Sequence, residues 1–297
     1  MANEAQKSNL AKRVATGFIA GFSCLFCILM GGIPLYLLIL AFVVISGREY
    51  AQILHHKGFH PSFGVIATAG MTFATLIFLH KFDLLPLFVC VAIIASFLTV
   101  LFKGRQPYIA NVATTVLGFM YTGWLIGHVL LIRQIGSESI GLFKINTNIG
   151  LSLLVFSFLA IIATDVFAYY AGMKFGKTKL APTISPKKTV EGAIGGALAS
   201  VAICLFGVFY TNLTIIQCII AGILLTVFAQ LGDLSESLIK RDAGVKDSSD
   251  ILPGHGGFLD RTDGYIFALP VIYYYFICFT QGNNILLEFV EMLKGAI

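Results

Sequence analysis

Seven of the fifteen acidic residues fall between positions 233 and 263: Asp233, Glu236, Asp242, Asp247, Asp250, Asp260 and Asp263. Four basic residues, Lys240, Arg241, Lys246 and Arg261, share that stretch. Carboxylates with backbone oxygens suit a hard cation such as Mg²⁺, which keeps waters and is shared with substrate phosphates. Arg261 suits bidentate phosphate contact. The segment PGHGGFLDRTDG (253–264) adds Gly254, Gly256 and Gly257. Glycines let the backbone take positive φ and approach a ligand closely, and successive free N–H groups in such a turn form an anion-binding nest. Asp260 and Asp263 face the same way if a helix starts near 259. For His255 three roles stay open, phosphate contact first, then acid–base work, then closure of the turn.

A second polar stretch, GMKFGKTKLAPTISPKKTVEG (172–192), holds another candidate anion site. Ser185 and Pro186 read as an N-cap and first helical residue. Lys187 and Lys188 then stand beside a helix N-terminus, where anions are favoured. GMKFGKT resembles a P-loop but has three residues between its glycines instead of four, so it reads as an ordinary loop. Each polar stretch adjoins acids at helix ends: Asp165, Glu191, Asp233 and Asp263. Ionisable groups within membrane spans mark functional cavities by default.

These residues must be positioned by membrane helices. The chain has 297 residues, of which only 12% are charged and 57% are hydrophobic, with mean hydropathy +0.88. Soluble domains carry about 25% charged residues, so an all-α integral membrane protein is expected. Nine apolar runs approach the roughly 17–25 residues that span a bilayer as helix: 14–30, 32–47, 63–79, 84–102, 111–132, 148–171, 192–211, 213–232 and 264–280. A tight hairpin around Gly31–Gly32 is one arrangement open to the first two. The eighth run has no breaker before Gly244 and predicts a helix to about 242, roughly 45 Å long at 1.5 Å per residue. On it Asp233, Ser237 and Lys240 share one face, flanked by Glu236. No cleavable signal is read at the N-terminus.

With the N-terminus placed in the cytoplasm, sixteen of the twenty Lys and Arg lie on the inner side. That bias sets orientation, and it opens the polar cavity to the cytoplasm. The six cysteines all fall in spans, where Cys24 and Cys27 read as packing residues and not as a redox pair. The chain reads as one polytopic membrane domain over 1–297. Residues 1–147 supply helices with little motif content, 148–280 the catalytic helices and loops, and 281–297 a short amphipathic tail.

Carboxylates, anion-binding turns and Lys/Arg at the headgroup level suit a polyphosphate meeting a lipid. The motifs carry a resemblance. Ser237-x-x-Lys240-Arg241-x4-Lys246-Asp247, followed by His255-Gly256-Gly257-x-x-Asp260-Arg261-x-Asp263, is similar to the signature of the phosphatidate cytidylyltransferases (CDP-diacylglycerol synthases). ISPKKTVEG, Asp165-x-x-Ala168-Tyr169 and QLGDLSES are similar to further family segments, while Gly264 stands where Ser is more usual. The resemblance implies transfer of a cytidylyl group from CTP to phosphatidic acid, giving CDP-diacylglycerol and pyrophosphate. It implies Mg²⁺ with a second cation such as K⁺, a homodimer among membrane lipids, no nucleic acid, and a bacterial-type inner membrane. Carried over, Asp233 and Asp260 are the metal ligands, with Asp263 and Asp165 in support. Catalytic roles go to Asp233, Asp260, Lys240, Arg261 and His255. Substrate contacts go to Ser185, Lys187, Lys188, Ser237, Arg241, Lys246, Gly256 and Gly257. The rival readings are a CTP-dependent lipid kinase, a cytidylyltransferase for another lipid phosphate, and a transporter; against the last, no second copy of the acidic loop appears.

Overall fold

Two consecutive left-handed glycines, Gly31 (φ 62°) and Gly32 (φ 50°), separate the first two helices, α1 (Gly21–Met30) and α2 (Gly32–His56). The structure, a computed structural model, describes residues 21–136, 148–211, 213–249, 251 and 256–280. His255, Gly254, the basic N-terminal residues Lys7, Lys12 and Arg13, and the tail expected over 281–297 lie outside the described residues. Helix α2 runs past the expected end at 47, because its polar residue Glu49 is fully buried and has partners there.

Helix α3 (Phe63–Phe78) is capped by Ser62, whose hydroxyl accepts from Val65 N–H. Helix α4 (Leu85–Lys103) ends on left-handed Gly104. Helices α5 (Tyr108–Phe119) and α6 (Leu125–Gln134) form one continuous rod through a π-helical turn at Met120–Trp124. There the backbones of Gly70 and Gly123 touch, and Phe73 stacks on Trp124. Helix α7 (Ile149–Phe175) is capped by Asn148 and leads into a small antiparallel hairpin. Its strands are β1 (Lys179–Ala181) and β2 (Ser185–Thr189), with Lys179 opposite Thr189.

That hairpin corrects one expectation. Ser185-Pro186 does not open a helix. It lies in β2, and helix α8 (Val190–Phe206) begins only after Thr189, whose hydroxyl accepts from Gly192 N–H. Strand pairing with 179–181 outweighs the local cap signal, and Pro186 is tolerated because a two-stranded hairpin is all edge. A short α9 (Val208–Thr211) precedes α10 (Ile215–Asp242), which opens on a Thr214/Gln217 capping box. It extends as predicted, over about 42 Å. Helix α11 (Leu259–Phe279) starts at 259 and accommodates Pro270.

Six of the described segments are long and apolar enough to cross a membrane: Gly32–His56, Phe82–Lys103, Tyr108–Gln134, Ile149–Phe175, Ile215–Asp242 and Leu259–Phe279. Three shorter apolar helices, α1, α3 and α8, accompany them. The chain is an all-α integral membrane protein with one small hairpin. Lipid offers no hydrophobic drive between helices, so close backbone approach must hold them together. Gly192 and Gly196 of α8 abut the α7 backbone at Ala168 and Thr164, and Gly222 of α10 abuts Val201 of α8. Thr164 and Thr226 hydroxyls meet at 3.1 Å between α7 and α10, and Ser200 donates to the Gly222 carbonyl at 2.9 Å. Such bonds contribute on the order of 0.6 kcal/mol each in membranes. The small-residue contacts therefore matter more. Helices α7, α8, α10 and α11 form one group, and α2, α3, α5 and α6 another; α6 joins them by packing on α11. Helix α4 sits outermost, with Leu101 and Phe102 exposed.

Candidate active site

The acids come together where α10 crosses α11. Gly232 lies so near the Asp263 carbonyl that no side chain would fit between them. This crossing places Asp233 and Asp263 in range of each other's charge. Asp165, on α7, feels Asp233, Lys188 and Arg261. Three helices thus contribute three carboxylates to one region at the end of the bundle. The same end carries the loops 176–189 and 243–258.

The hairpin delivers a counter-charge. Glu191, in the first turn of α8, accepts the backbone N–H groups of Lys177 at 3.0 Å and Thr178 at 3.1 Å. This brace fixes the hairpin against α8, and Lys188 on β2 reaches Asp233 Oδ2 at 2.5 Å. Successive strand residues point to opposite faces, so Lys187 does not accompany it and stands exposed. The two lysines therefore do not flank a helix N-terminus together. Ser185 is half-buried at the start of β2. Ser237, one turn after Asp233, donates weakly to Asp233 Oδ1 at 3.4 Å, so the expected shared face of α10 is present.

A second ion cluster lies two turns further along α10. Lys240 is ion-paired with both Glu236 and Asp260. Asp260 Oδ2 accepts three more hydrogen bonds, from Ser248 N–H at 2.9 Å, Ser248 Oγ–H at 3.0 Å and Gly257 N–H at 2.8 Å. Arg241 and Lys246 are exposed, and Arg241 donates to the Val245 carbonyl at 3.5 Å, which braces the 243–249 turn. Arg261 is exposed at the start of α11.

One residue that the sequence reading did not single out organises this cluster. Glu49 of α2 is fully buried. Its carboxylate accepts from Phe258 N–H at 2.9 Å, Leu259 N–H at 2.6 Å, Ser248 Oγ–H at 3.2 Å and Ser249 Oγ–H. It therefore caps α11 from another helix; Phe258, at the N-cap position, supplies no side-chain bond. An acid beside a helix N-terminus is favoured by the dipole. The glycine turn behaves accordingly. Gly256 takes φ 78°, and Gly257 is packed so closely on Ser248 Oγ and Glu49 that it admits no side chain. Of the N–H groups in this turn, those at Gly257, Phe258 and Leu259 are filled by Asp260 and Glu49 from within the protein. The signal in the sequence was an acid, Glu49, at the polar end of a long apolar run, in GREYAQI (47–53).

A cation must be tested against this donor set. Among the described residues no three His, Cys, Asp or Glu side chains form a preformed metal cage. Mg²⁺ does not need one, since it takes one or two carboxylates and completes its shell with water and phosphate. An ionised carboxylate offers about four acceptor sites. Protein donors occupy most of those of Asp260 and Glu49, with the one Ser248 hydroxyl proton shared between them. Asp233 accepts from Lys188 and Ser237, and Asp263 accepts from Gly264 N–H at 2.7 Å. Asp233 and Asp263, in range of each other's charge, are the carboxylates whose chemistry suits a hard cation. Asp260 fits one only through Oδ1, and only if Lys240 turns away.

Comparison with known proteins identifies the family. Residues 11–279 match the model of the cytidylyltransferase family. The chain is 33% identical over 285 residues to a phosphatidate cytidylyltransferase of Synechocystis sp., covering 87% of this chain and 94% of the relative. It is 31% identical to the Bacillus subtilis protein of that name, covering 92% and 99%, and 36% identical to that of Staphylococcus saprophyticus, covering 88% and 96%. The chain belongs to the cytidylyltransferase family.

Proposed function

We propose that this protein transfers the cytidylyl group of CTP to phosphatidic acid, releasing pyrophosphate and forming CDP-diacylglycerol. The observation that carries the reading is the pair of lysine–aspartate contacts, Lys188–Asp233 and Lys240–Asp260, at one end of a membrane bundle. Both reacting partners are phosphate anions, so their approach is opposed by charge. A phosphate monoester has a second pKa near 6, so the lipid phosphate is already largely ionised at neutral pH and needs little base. One of its oxygens attacks the α-phosphorus of CTP, and the bond from that phosphorus to the β-phosphate bridge breaks. The electron pair leaves with pyrophosphate.

The side chains serve this step by charge. Lys188 and Lys240 bind phosphate oxygens in exchange for their aspartates, and Arg261 offers a planar fork to the polyphosphate. Each exchange frees aspartate oxygens. Asp233 and Asp263 would hold Mg²⁺, with Asp165 beside them and Asp260 joining when Lys240 turns. When bound, the ion supplies neutralisation of the phosphoryl oxygens. Glu49 holds the 248–259 segment so that Asp260 and Lys240 keep their places. Ser237 orients Asp233. Ser185, Lys187, Arg241, Lys246 and His255 complete the basic rim as phosphate contacts.

The bundle end that bears Arg48, Lys57, Lys103, Arg105, Lys174, Lys188 and Lys240 faces the cytoplasm by the positive-inside rule. Nine spans with a cytoplasmic N-terminus satisfy that orientation. CTP then arrives from the aqueous side and phosphatidic acid from the inner leaflet. The test is product analysis with purified protein, phosphatidic acid, Mg²⁺ and CTP labelled separately at its α- and γ-phosphates. The reading expects α-label in the lipid and γ-label in pyrophosphate. Gamma-label in the lipid with release of CDP would make the protein a kinase instead.

A further inference from the structure

A cleft of about 530 Å³ opens at the basic end of the bundle, between the α2–α3 turn and the α4–α5 turn. Its polar lining comprises His55, His60, Ser62, Lys103, Arg105 and Asn111, and no acid lines it. None of these residues belongs to the carboxylate site. Among the described residues neither Lys103 nor Arg105 is ion-paired to a carboxylate.

The walls are held by buried polar groups. Asn111 is 1% exposed and ties the two turns together. Its Oδ1 accepts His60 N–H at 2.7 Å, and its Nδ2 donates to the Arg105 carbonyl at 3.1 Å. Thr115, also buried, accepts Ser62 N–H at 2.9 Å. His55 and His60 share one hydrogen bond between their Nδ1 atoms at 3.1 Å, and among the described residues neither Nε2 has a hydrogen-bond partner. His55 also lies within range of the Arg105 charge. Lys103 and Arg105 are exposed and unpaired with carboxylates above a fixed polar floor, a setting that favours an anion.

The surroundings say where that anion comes from. Helix α4 shows its apolar side chains outward up to the rim, with Leu101 71% and Phe102 82% exposed, and Ile109 of α5 is 87% exposed. The cleft therefore sits at the boundary between lipid-facing surface and basic loops. We propose that this cleft is a second phosphate site, separate from the reacting centre, that takes the phosphate of an anionic phospholipid or a free phosphate of the same chemistry. Arg105 and Lys103 supply the charge, and the neutral histidine pair one directed Nε2–H donor, on the ring whose Nδ1 accepts the shared bond. Acyl chains would follow α4 and α5.

The test uses full-length protein in phosphatidylcholine vesicles doped with phosphatidylglycerol, and counts retained phosphatidylglycerol by native mass spectrometry after extraction. The Lys103→Gln/Arg105→Gln double variant should retain it about thirtyfold more weakly, since each cation near a bilayer surface contributes on the order of 1 kcal/mol. A charge-matched Lys174→Gln/Lys179→Gln variant should retain it like the unaltered protein. Unchanged melting temperatures exclude misfolding. Added inorganic phosphate or pyrophosphate then separates the sources. Displacement of the lipid identifies a site open to free phosphate, and no displacement identifies a headgroup site. Equal retention by both double variants, at any level, would overturn the proposal, because it would leave only diffuse attraction to basic residues.

Discussion

Glu49 and Asp233 are both carboxylates on long helices at the same end of the bundle, yet the structure treats them oppositely. Glu49 is fully buried and spends its oxygens on two backbone N–H groups and two serine hydroxyls. Asp233 is partly exposed and holds one lysine and one weak serine contact. Asp260 resembles Glu49 in this respect, and Asp263 resembles Asp233. Glu49 and Asp260 brace the loop with their hydrogen bonds, whereas Asp233 and Asp263 face like charge. The difference lies in hydrogen-bond donors, not in residue type, and it separates architecture from chemistry.

Substitutions that should affect turnover and stability in opposite measure can break that distinction. Asp233→Asn should lower turnover by more than about a hundredfold, beyond the loss typical of an outer-shell partner of a metal. Its melting temperature should not fall, because removing a charge beside Asp263 relieves repulsion. Steady-state rates and a thermal melt together check this; a variant that is active but unstable would reverse the assignment. Glu49→Ala should do the reverse. It strands buried N–H groups at Phe258 and Leu259, at about 1–3 kcal/mol for each unsatisfied group. The expected result is a clearly lowered melting temperature. Activity should fall only as far as the 248–259 segment loosens, with Glu49→Gln in between.

Gly232→Ala sharpens the comparison from the backbone side. The added methyl meets the Asp263 carbonyl, so α10 and α11 must separate. Turnover should fall about tenfold, as misplacement by an ångström commonly costs more, while protein yield stays near normal. Lys57→Gln should do least. Its ion pair with Asp242 is exposed on both sides, 39% and 60%, and such pairs contribute about 0–1 kcal/mol. A melt within a degree or two of the original protein is expected, and a large loss would mean that surface pairing, not Glu49, docks α2 to the end of α10.

Much of this was legible in the residues. The uninterrupted run after Leu231 foretold that α10 would continue unbroken to 242, and the spacing of Asp233 and Ser237 foretold their contact. The start of α11 at 259 aligned Asp260 and Asp263 on adjacent turns. Long apolar periodicity and residue spacing within one helix are local, so a sequence exhibits them. Contacts between distant segments are not. Glu49 binds groups about 200 positions away, and nothing near it in the chain signals those partners. Ser185-Pro186 carried a helix-start pattern that pairing with β1 overrode. The glycine turn signalled free N–H groups for an anion, but at Gly257, Phe258 and Leu259 they are taken by Asp260 and by Glu49, which depends on the approach of α2.

The division between the two kinds of carboxylate is tested most directly by titrating Mn²⁺, as a paramagnetic substitute for Mg²⁺, into the protein with CTP and reading bound ion by electron paramagnetic resonance. Asp233→Asn should lose the bound signal, and Glu49→Gln, kept folded, should retain it. Mn²⁺ binding by Asp233→Asn equal to that of the unaltered protein would contradict the account.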